Sequence, residues 1–71
     1  MSDTVYRVTE VIGTSAESWE AAARNAVATA GRTIRDLRVA EATRFDVTIK
    51  DGEIADYRVR LDISFKYEEA D

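Results

Sequence analysis

Residues 38–67 decide the fold, and they read RVAEATRFDVTIKDGEIADYRVRLDISFKY. Apolar and polar residues alternate with a period of two along this stretch, as strands with one buried face require. The alternation is interrupted once, at Lys50, Asp51 and Gly52, which are residues typical of a tight turn. The stretch therefore predicts two long antiparallel strands joined as a hairpin.

The register of this hairpin depends on the length of its turn. A two-residue turn of Asp51 and Gly52 places odd residues opposite even ones, which separates the apolar faces of the two strands. A three-residue turn that includes Lys50 keeps these faces together. We therefore expect the longer turn, with Phe45 opposite Tyr57.

The expected register gives the hairpin one apolar and one charged face. The apolar face contains Val39, Thr43, Phe45, Val47 and Ile49 in the first arm, and Ala55, Tyr57, Val59, Leu61, Ile63, Phe65 and Tyr67 in the second. The charged face contains Arg44, Asp46, Asp56, Arg58, Arg60, Asp62 and Lys66. A face of this kind is most often a solvated surface.

A strand and a helix precede the hairpin. The strand is predicted from Val5 to Ile12, a run rich in β-branched residues that ends at Gly13. A helix begins next, because Thr14 and Glu17 have the spacing of a capping box. Its apolar positions recur three or four residues apart, with one longer step at a glycine, and they are Trp19, Ala22, Ala23, Ala26, Val27, Ala30, Ile34 and Leu37. The order is β-α-β-β, an α+β fold with one long helix on a three-stranded antiparallel sheet.

Two residues of the helix stand out. Gly31 lies inside the predicted helix at a cost of about 1 kcal/mol relative to alanine, which indicates a close approach of another backbone. Trp19, the single tryptophan of the chain, lies on the apolar stripe, so we interpret it as an anchor of the core or of an interface.

The chain is too small to be stable by itself. Its 71 residues form one domain, and a domain of this length buries a small share of its surface. The absence of cysteine and histidine excludes disulfides and thiolate or imidazole metal sites. We therefore expect a homo-oligomer. Glu41 interrupts the predicted apolar face, and since a buried carboxylate must be paired, we expect an arginine partner, which a neighbouring subunit could supply.

Charge and hydropathy argue against several classes of partner and location. The formal net charge is -4, which argues against nucleic acid. No stretch approaches the roughly 20 apolar residues of a membrane-spanning helix. The N-terminal residues lack the basic and apolar segments of a secretory signal, so we expect a cytoplasmic protein.

Several segments resemble the dodecin family. Tyr6-Arg7-Val8, Gly13-Thr14-Ser15 and Ser64-Phe65-Lys66 are similar to dodecin sequences and stand in the dodecin order of strand, helix, strand, strand. The resemblance covers nearly the whole chain and implies a single dodecin-like domain over residues 1–71. It also implies assembly into a hollow shell of twelve subunits, a homododecamer.

Most dodecins bind flavins, which stack on a tryptophan at the start of the second strand and bond to a glutamine in the third. Their Leu-Asp-Trp-Phe-Glu motif corresponds here to residues 37–41, so that Val39 occupies the tryptophan position. Arg58 occupies the glutamine position. The resemblance thus implies a ligand pocket at Arg38, Val39, Ala40 and Arg58, which lacks the stacking platform for flavin.

A subgroup, the calcium dodecins, is more similar. The shared segments are Ser18-Trp19-Glu20, Arg38-Val39-Ala40, Tyr57-Arg58 and Ser64-Phe65-Lys66. The resemblance implies a calcium-binding protein, with a flavin or coenzyme A as the alternative ligand.

Carboxylates are candidate calcium ligands. In the expected register Asp46 lies opposite Asp56, and two opposed carboxylates repel each other unless a cation or an arginine lies between them. Asp62, Glu10 and Glu41 are weaker candidates, and a site shared between subunits is an open alternative.

Two other classes of protein stay open. An enzyme is disfavoured, because a chain without cysteine or histidine lacks the usual nucleophile and base, and one subunit has no room for a deep pocket. A purely structural oligomer that binds no ligand is the remaining class.

Overall fold

A computed structural model describes residues 4–66 of the chain. Its elements follow the order β1 (Tyr6–Ser15), α1 (Trp19–Ala30), β2 (Leu37–Lys50) and β3 (Glu53–Lys66). The three strands form one antiparallel sheet in the order β1-β3-β2, so that β3 is central. The predicted β-α-β-β order, with one helix on a three-stranded antiparallel sheet, is confirmed. The predicted position of Tyr67 lies outside the described residues.

The hairpin turn has two residues, and the predicted three-residue turn is wrong. Lys50 pairs directly with Glu53, which leaves Asp51 and Gly52 as the turn. Both have positive φ, 54° and 78°, as a type I′ turn requires. This turn matches the right-handed twist of the two long strands, which favours it over a longer loop.

An irregularity beside the turn restores the apolar face. Thr48 pairs with Asp56 but the next residue, Ile49, pairs with Ile54, so that one strand carries an extra residue. Such a bulge shifts the pairing by one position and corrects the parity that a two-residue turn imposes. The bulge was not predicted, although the prediction that the apolar residues of the two strands near the turn share one face is correct.

The predicted cross-strand partners are wrong because of this shift. Phe45 lies opposite Val59 and Tyr57 lies opposite Val47. Asp46 lies opposite Arg58, so the predicted pair of Asp46 and Asp56 does not form.

A second irregularity divides β2 into two halves with different faces. The register shifts between Ala42 and Arg44, so that Thr43 is the extra residue. As a result, Val39 and Glu41 lie on the charged side of the sheet, and not with Phe45 on the apolar side as predicted. Glu41 is exposed in the isolated subunit, so its pairing with an arginine of a neighbouring subunit stays a prediction.

The helix is shorter than predicted at both ends. Ser18 is its N-cap, since its hydroxyl accepts a hydrogen bond of 3.0 Å from the Ala21 backbone nitrogen. Thr14 therefore belongs to β1, and the predicted capping box is wrong. The helix ends with Gly31 as its C-cap, and Asp36, with φ of 60°, redirects the chain into β2. No helix within residues 4–66 is long and apolar enough to cross a bilayer.

The core is a single thin layer. Three alanines of α1 pack on three residues of the central strand, and these six buried side chains are Ala22, Ala26, Ala30, Val59, Leu61 and Ile63. The helix lies over β1 and β3 and leaves the inner face of β2 largely uncovered. The buried core side chains of the sheet thus all belong to the central strand.

Close packing of the helix occurs at Gly13, and not chiefly at Gly31 as predicted. A Cβ atom at Gly13 would overlap the Ala22 carbonyl oxygen and would lie 2.8 Å from the Ala26 Cβ. At Gly31 the nearest atom, the Val27 carbonyl oxygen, would lie at 3.3 Å. Glycine in β1 is therefore what lets the alanine face of the helix approach the sheet.

The subunit leaves much apolar surface in solvent. Its radius of gyration is 14.8 Å, against about 11 Å for a compact chain of this length. It measures 55 × 20 × 15 Å. The large exposed apolar residues are Val5, Tyr6, Val8, Ile12, Trp19, Val27, Val39, Phe45, Ile49 and Ile54. A surface of this kind is typical of a subunit that contacts other chains.

Replacing Gly13 by valine tests the packing of helix on sheet. Gly13→Val forces α1 away from β1, and overpacking of a core costs about 1 to 3 kcal/mol. We expect a clear fall in the midpoint of thermal unfolding, measured by circular dichroism at a fixed subunit concentration. Gly31→Ala is the control and should have a much smaller effect, because Gly31 has ordinary helical φ of -67°. Equal effects of the two substitutions would contradict this account.

Candidate functional site

The face of the sheet opposite α1 carries most of the charged side chains of the hairpin. Strand pairing arranges the residues of this face in rows that cross the sheet, and four of these rows contain candidate ligand-binding residues. From the hairpin turn outward they contain Thr14, Arg58 and Asp46; Ile12, Arg60 and Arg44; Glu10, Asp62 and Glu41; and Val8, Ser64 and Val39. We call these the ion-pair row, the arginine row, the acidic row and the apolar row.

The acidic row places one carboxylate on each strand. Asp62 of the central strand lies directly opposite Glu10 on one side and Glu41 on the other. Like charges in directly opposed positions destabilise a sheet. Partial compensation comes from Arg60, whose Nε lies 3.9 Å from Glu10 Oε2. Oxygen ligands of this type suit a hard cation such as calcium.

The acidic row is not a closed metal site in one subunit. Within residues 4–66, no three acidic side chains come close enough together to hold a metal ion. Calcium takes six to eight oxygen ligands. A calcium site built on Asp62 therefore needs oxygens from water or from a second subunit.

Asp46 forms a bidentate ion pair with Arg58. Arg58 Nε donates to Asp46 Oδ1 at 2.7 Å and Arg58 Nη2 donates to Asp46 Oδ2 at 3.0 Å. This hydrogen bonding lowers the pKa of Asp46 below its ordinary value, and the positive charges of Arg44 and Arg60 act in the same direction. It also raises the pKa of Arg58. Both groups stay charged over a wide range of pH, so the pair is a fixed element of the face.

Asp56 has a different environment from Asp46. Its Oδ2 accepts a hydrogen bond of 3.5 Å from the Thr48 hydroxyl in the cross-strand partner. The direct opposition of Asp46 and Asp56, on which their choice as calcium ligands depended, is absent. A metal-binding role for Asp46, Asp56 and Asp62 thus stays a prediction that the geometry of one subunit does not test.

Three of the four predicted pocket residues lie together. Arg38, Val39 and Ala40 line a cleft of about 260 Å³, together with Val27, Leu37 and Ile63. Arg58 does not reach this cleft. Val39 pairs with Ser64, and Arg58 lies six positions before Ser64 in β3, which is about 20 Å along a strand. A ligand that contacts both Val39 and Arg58 must therefore extend along the sheet or bind between two subunits.

Trp19 joins the start of α1 to the hairpin. Its ring makes edge contacts with Tyr57 at 5.1 Å and Phe45 at 6.0 Å between ring centroids. Its Nε1 donates a hydrogen bond of 3.1 Å to the Asp46 carbonyl oxygen. The side chain is nevertheless 40% exposed. Trp19 is thus an anchor between helix and hairpin inside the subunit, and a role at an interface stays a prediction.

The arginine row is a feature that sequence reasoning missed. Arg44 lies directly opposite Arg60, and with Ile12, Asp46 and Arg58 they line a recess of about 30 Å³. The extra residue beside the turn produces this arrangement, because the register that it sets continues unchanged from Thr48 to Arg44. The sequence places Arg44 and Arg60 on the predicted charged face, but it does not indicate that they lie opposite each other.

Known proteins match this chain along most of its length. The dodecin family profile matches residues 5–68. A calcium dodecin of Mycobacterium tuberculosis is 42% identical over 62 residues, which are 87% of this chain and 87% of that protein. A dodecin of Thermus thermophilus is 38% identical over 65 residues, which are 92% of this chain and 94% of that protein.

Solved structures agree with these matches. The dodecin of Streptomyces coelicolor has a TM-score of 0.93 and 44% identity, covering 99% of this chain and 100% of that one. The calcium dodecin of M. tuberculosis, described as calcium-chelating with a novel calcium-binding site, has a TM-score of 0.81 and 41% identity, covering 94% of this chain and 96% of that one. Sequence profile, sequence identity and backbone geometry thus agree, and the chain belongs to the dodecin family.

Proposed function

We propose that this chain forms a homododecameric shell that binds and stores calcium. The main observation that supports this proposal is the acidic row, in which Asp62 has Glu10 opposite it on one side and Glu41 opposite it on the other. Similarity to the calcium dodecin of M. tuberculosis supports calcium as the ligand. Dodecins bind or store small ligands, and this function requires no catalytic group in the chain.

The surface of the subunit supports an oligomer. The inner face of β2 carries Phe45, which contacts the Trp19 ring at the start of the helix but stays 57% exposed. A groove of about 590 Å³ runs between α1 and β1, and its lining includes Val11, Ala26 and Ile34. A second copy of the chain would bury these apolar surfaces and add the core that one subunit lacks.

Asp62 is the central residue of the proposed calcium site. It is partly buried and has a carboxylate neighbour on each side, whereas Asp46 is already engaged by Arg58. Glu10 or Glu41, but not both together with Asp62 in one subunit, would supply further oxygens, and the rest would come from water or another subunit. A cation there would remove the like-charge repulsion within the row. Asp46 and Asp56 stay as the second choice of ligands.

Removing one carboxylate from the acidic row tests the calcium proposal. We expect Asp62→Asn to weaken calcium binding about tenfold or more, because it removes a charged ligand from the middle of the row. Isothermal titration of metal-free protein with calcium chloride measures this change. Glu20→Gln, an exposed carboxylate on the helix, is the control and should bind calcium like the unmodified protein.

The outcomes distinguish two candidate sites from an absence of calcium binding. Unchanged binding by Asp62→Asn would contradict the acidic row as the site. Loss of binding in Asp46→Asn or Asp56→Asn, with Asp62→Asn unaffected, would assign calcium to the residues predicted from the sequence. No binding by the unmodified protein would contradict the calcium function itself.

A flavin or coenzyme A is the second candidate ligand. The cleft beside Arg38, Val39 and Ala40 has room for part of such a molecule and is open to solvent. Val39 is 63% exposed, lies on the face of the sheet opposite α1, and has no aromatic ring to stack on a flavin. This difference favours calcium over flavin.

Restoring an aromatic ring tests this interpretation of the cleft. We expect Val39→Trp to raise flavin affinity about tenfold, since aromatic stacking contributes about 0.5 to 1.5 kcal/mol beyond the area it buries. Quenching of flavin fluorescence measures the affinity. Ile49→Trp, which adds a tryptophan at another exposed site, is the control and should have no effect. Equal affinity of all three proteins would show that the cleft is not a flavin pocket.

The proposal also includes the compartment and the partners of the shell. We propose the cytoplasm as its compartment, with copies of itself and a small molecule or ion as partners. The net charge of -4 is the reason that nucleic acid is not among them.

A further inference from the structure

We propose a second binding site on the charged face, in which Arg44, Arg58 and Arg60 bind the phosphate group of a small molecule. This site lies in the arginine row and the adjoining ion-pair row. It is separate from the acidic row and does not depend on calcium binding.

The opposition of Arg44 and Arg60 favours the binding of an anion between them. The two residues are direct cross-strand partners, and like charges in this position destabilise a sheet. Within residues 4–66, Arg44 forms no ion pair, and the contact of Arg60 with Glu10 is long, at 3.9 Å. An anion between the two guanidinium groups would convert this repulsion into attraction.

The neighbouring ion pair fixes the geometry of the recess. Two hydrogen bonds to Asp46 hold the guanidinium of Arg58 in place. This positive charge lies in the row next to Arg44 and Arg60. Three guanidinium groups and one carboxylate line the recess, which gives it two net positive charges on a protein of net charge -4. This local charge is opposite in sign to the rest of the chain.

Size and charge select the chemistry of the ligand. The recess has about 30 Å³ of free volume, enough for about two water-sized groups. It admits two oxygens of a tetrahedral anion and excludes a ring. A guanidinium group can donate two parallel hydrogen bonds to two oxygens of one phosphate. A phosphate with two negative charges balances the two net positive charges, which a carboxylate cannot do alone.

Titration with inorganic phosphate tests the proposal. The protein is titrated calorimetrically at constant ionic strength, without added calcium because calcium phosphate would precipitate. We expect one phosphate to bind for each subunit, and Arg44→Gln to weaken this binding about tenfold or more. Arg24→Gln, an exposed arginine on the helix, is the control and should bind like the unmodified protein.

Thermal unfolding separates lost binding from lost folding. Without phosphate, Arg44→Gln should unfold at or above the temperature of the unmodified protein, because it removes the repulsion from Arg60. With phosphate, the unmodified protein should gain stability and the variant should not. A variant that unfolds earlier in both conditions would assign Arg44 a purely structural role and overturn the proposal.

Titration with ADP distinguishes two sources of the phosphate group, a larger ligand that carries it and free inorganic phosphate. Tighter binding of ADP than of inorganic phosphate, still dependent on Arg44, assigns the site to the phosphate end of a larger ligand. Equal affinities assign it to free phosphate. Absence of phosphate and ADP binding, or equal binding by Arg44→Gln and Arg24→Gln, would overturn the proposal and leave the calcium site unaffected.

Discussion

The packing of an alanine stripe onto the central strand is the contact on which the rest of this structure depends. Ala22, Ala26 and Ala30 allow α1 to lie very close to β1 and β3, and Gly13 removes the side chain that would prevent it. The same choice of residues makes the core weak, since a buried methyl group contributes about 0.8 kcal/mol. The subunit therefore gains a thin, precise contact and leaves most of its large apolar side chains for other chains.

Irregular pairing in the hairpin then determines what the other face can bind. The extra residue at Thr43 moves Val39 and Glu41 to the side that carries Asp62. It thereby completes the acidic row, whereas the extra residue beside the turn sets the register that places Arg44 opposite Arg60. Two register shifts thus generate an excess of negative charge and an excess of positive charge in neighbouring rows of one sheet. Each excess is unfavourable in an isolated subunit, and each would be relieved by a bound ion of opposite sign.

The sequence predicted the elements better than it predicted their alignment. Alternation along residues 38–66 and the alanine stripe led to the correct order of strands and helix, because both patterns reflect burial. The partners of Asp46 were wrong, because a bulge near Ile49 corrected the parity locally and leaves no mark in composition. Glu41 was assigned to the wrong face because of a second bulge, at Thr43. The helix end at Gly31 was missed because Ile34 and Leu37 continue the helical spacing, although Leu37 packs against the core from β2.

Native mass spectrometry of gently purified protein tests the central claim, that one subunit is incomplete and that the assembled shell is the binding form. One spectrum gives the number of subunits and the mass of any bound ion. The account predicts a single species of twelve subunits that carries added mass in multiples of calcium. A monomer or dimer at working concentration, with no added mass, would contradict it.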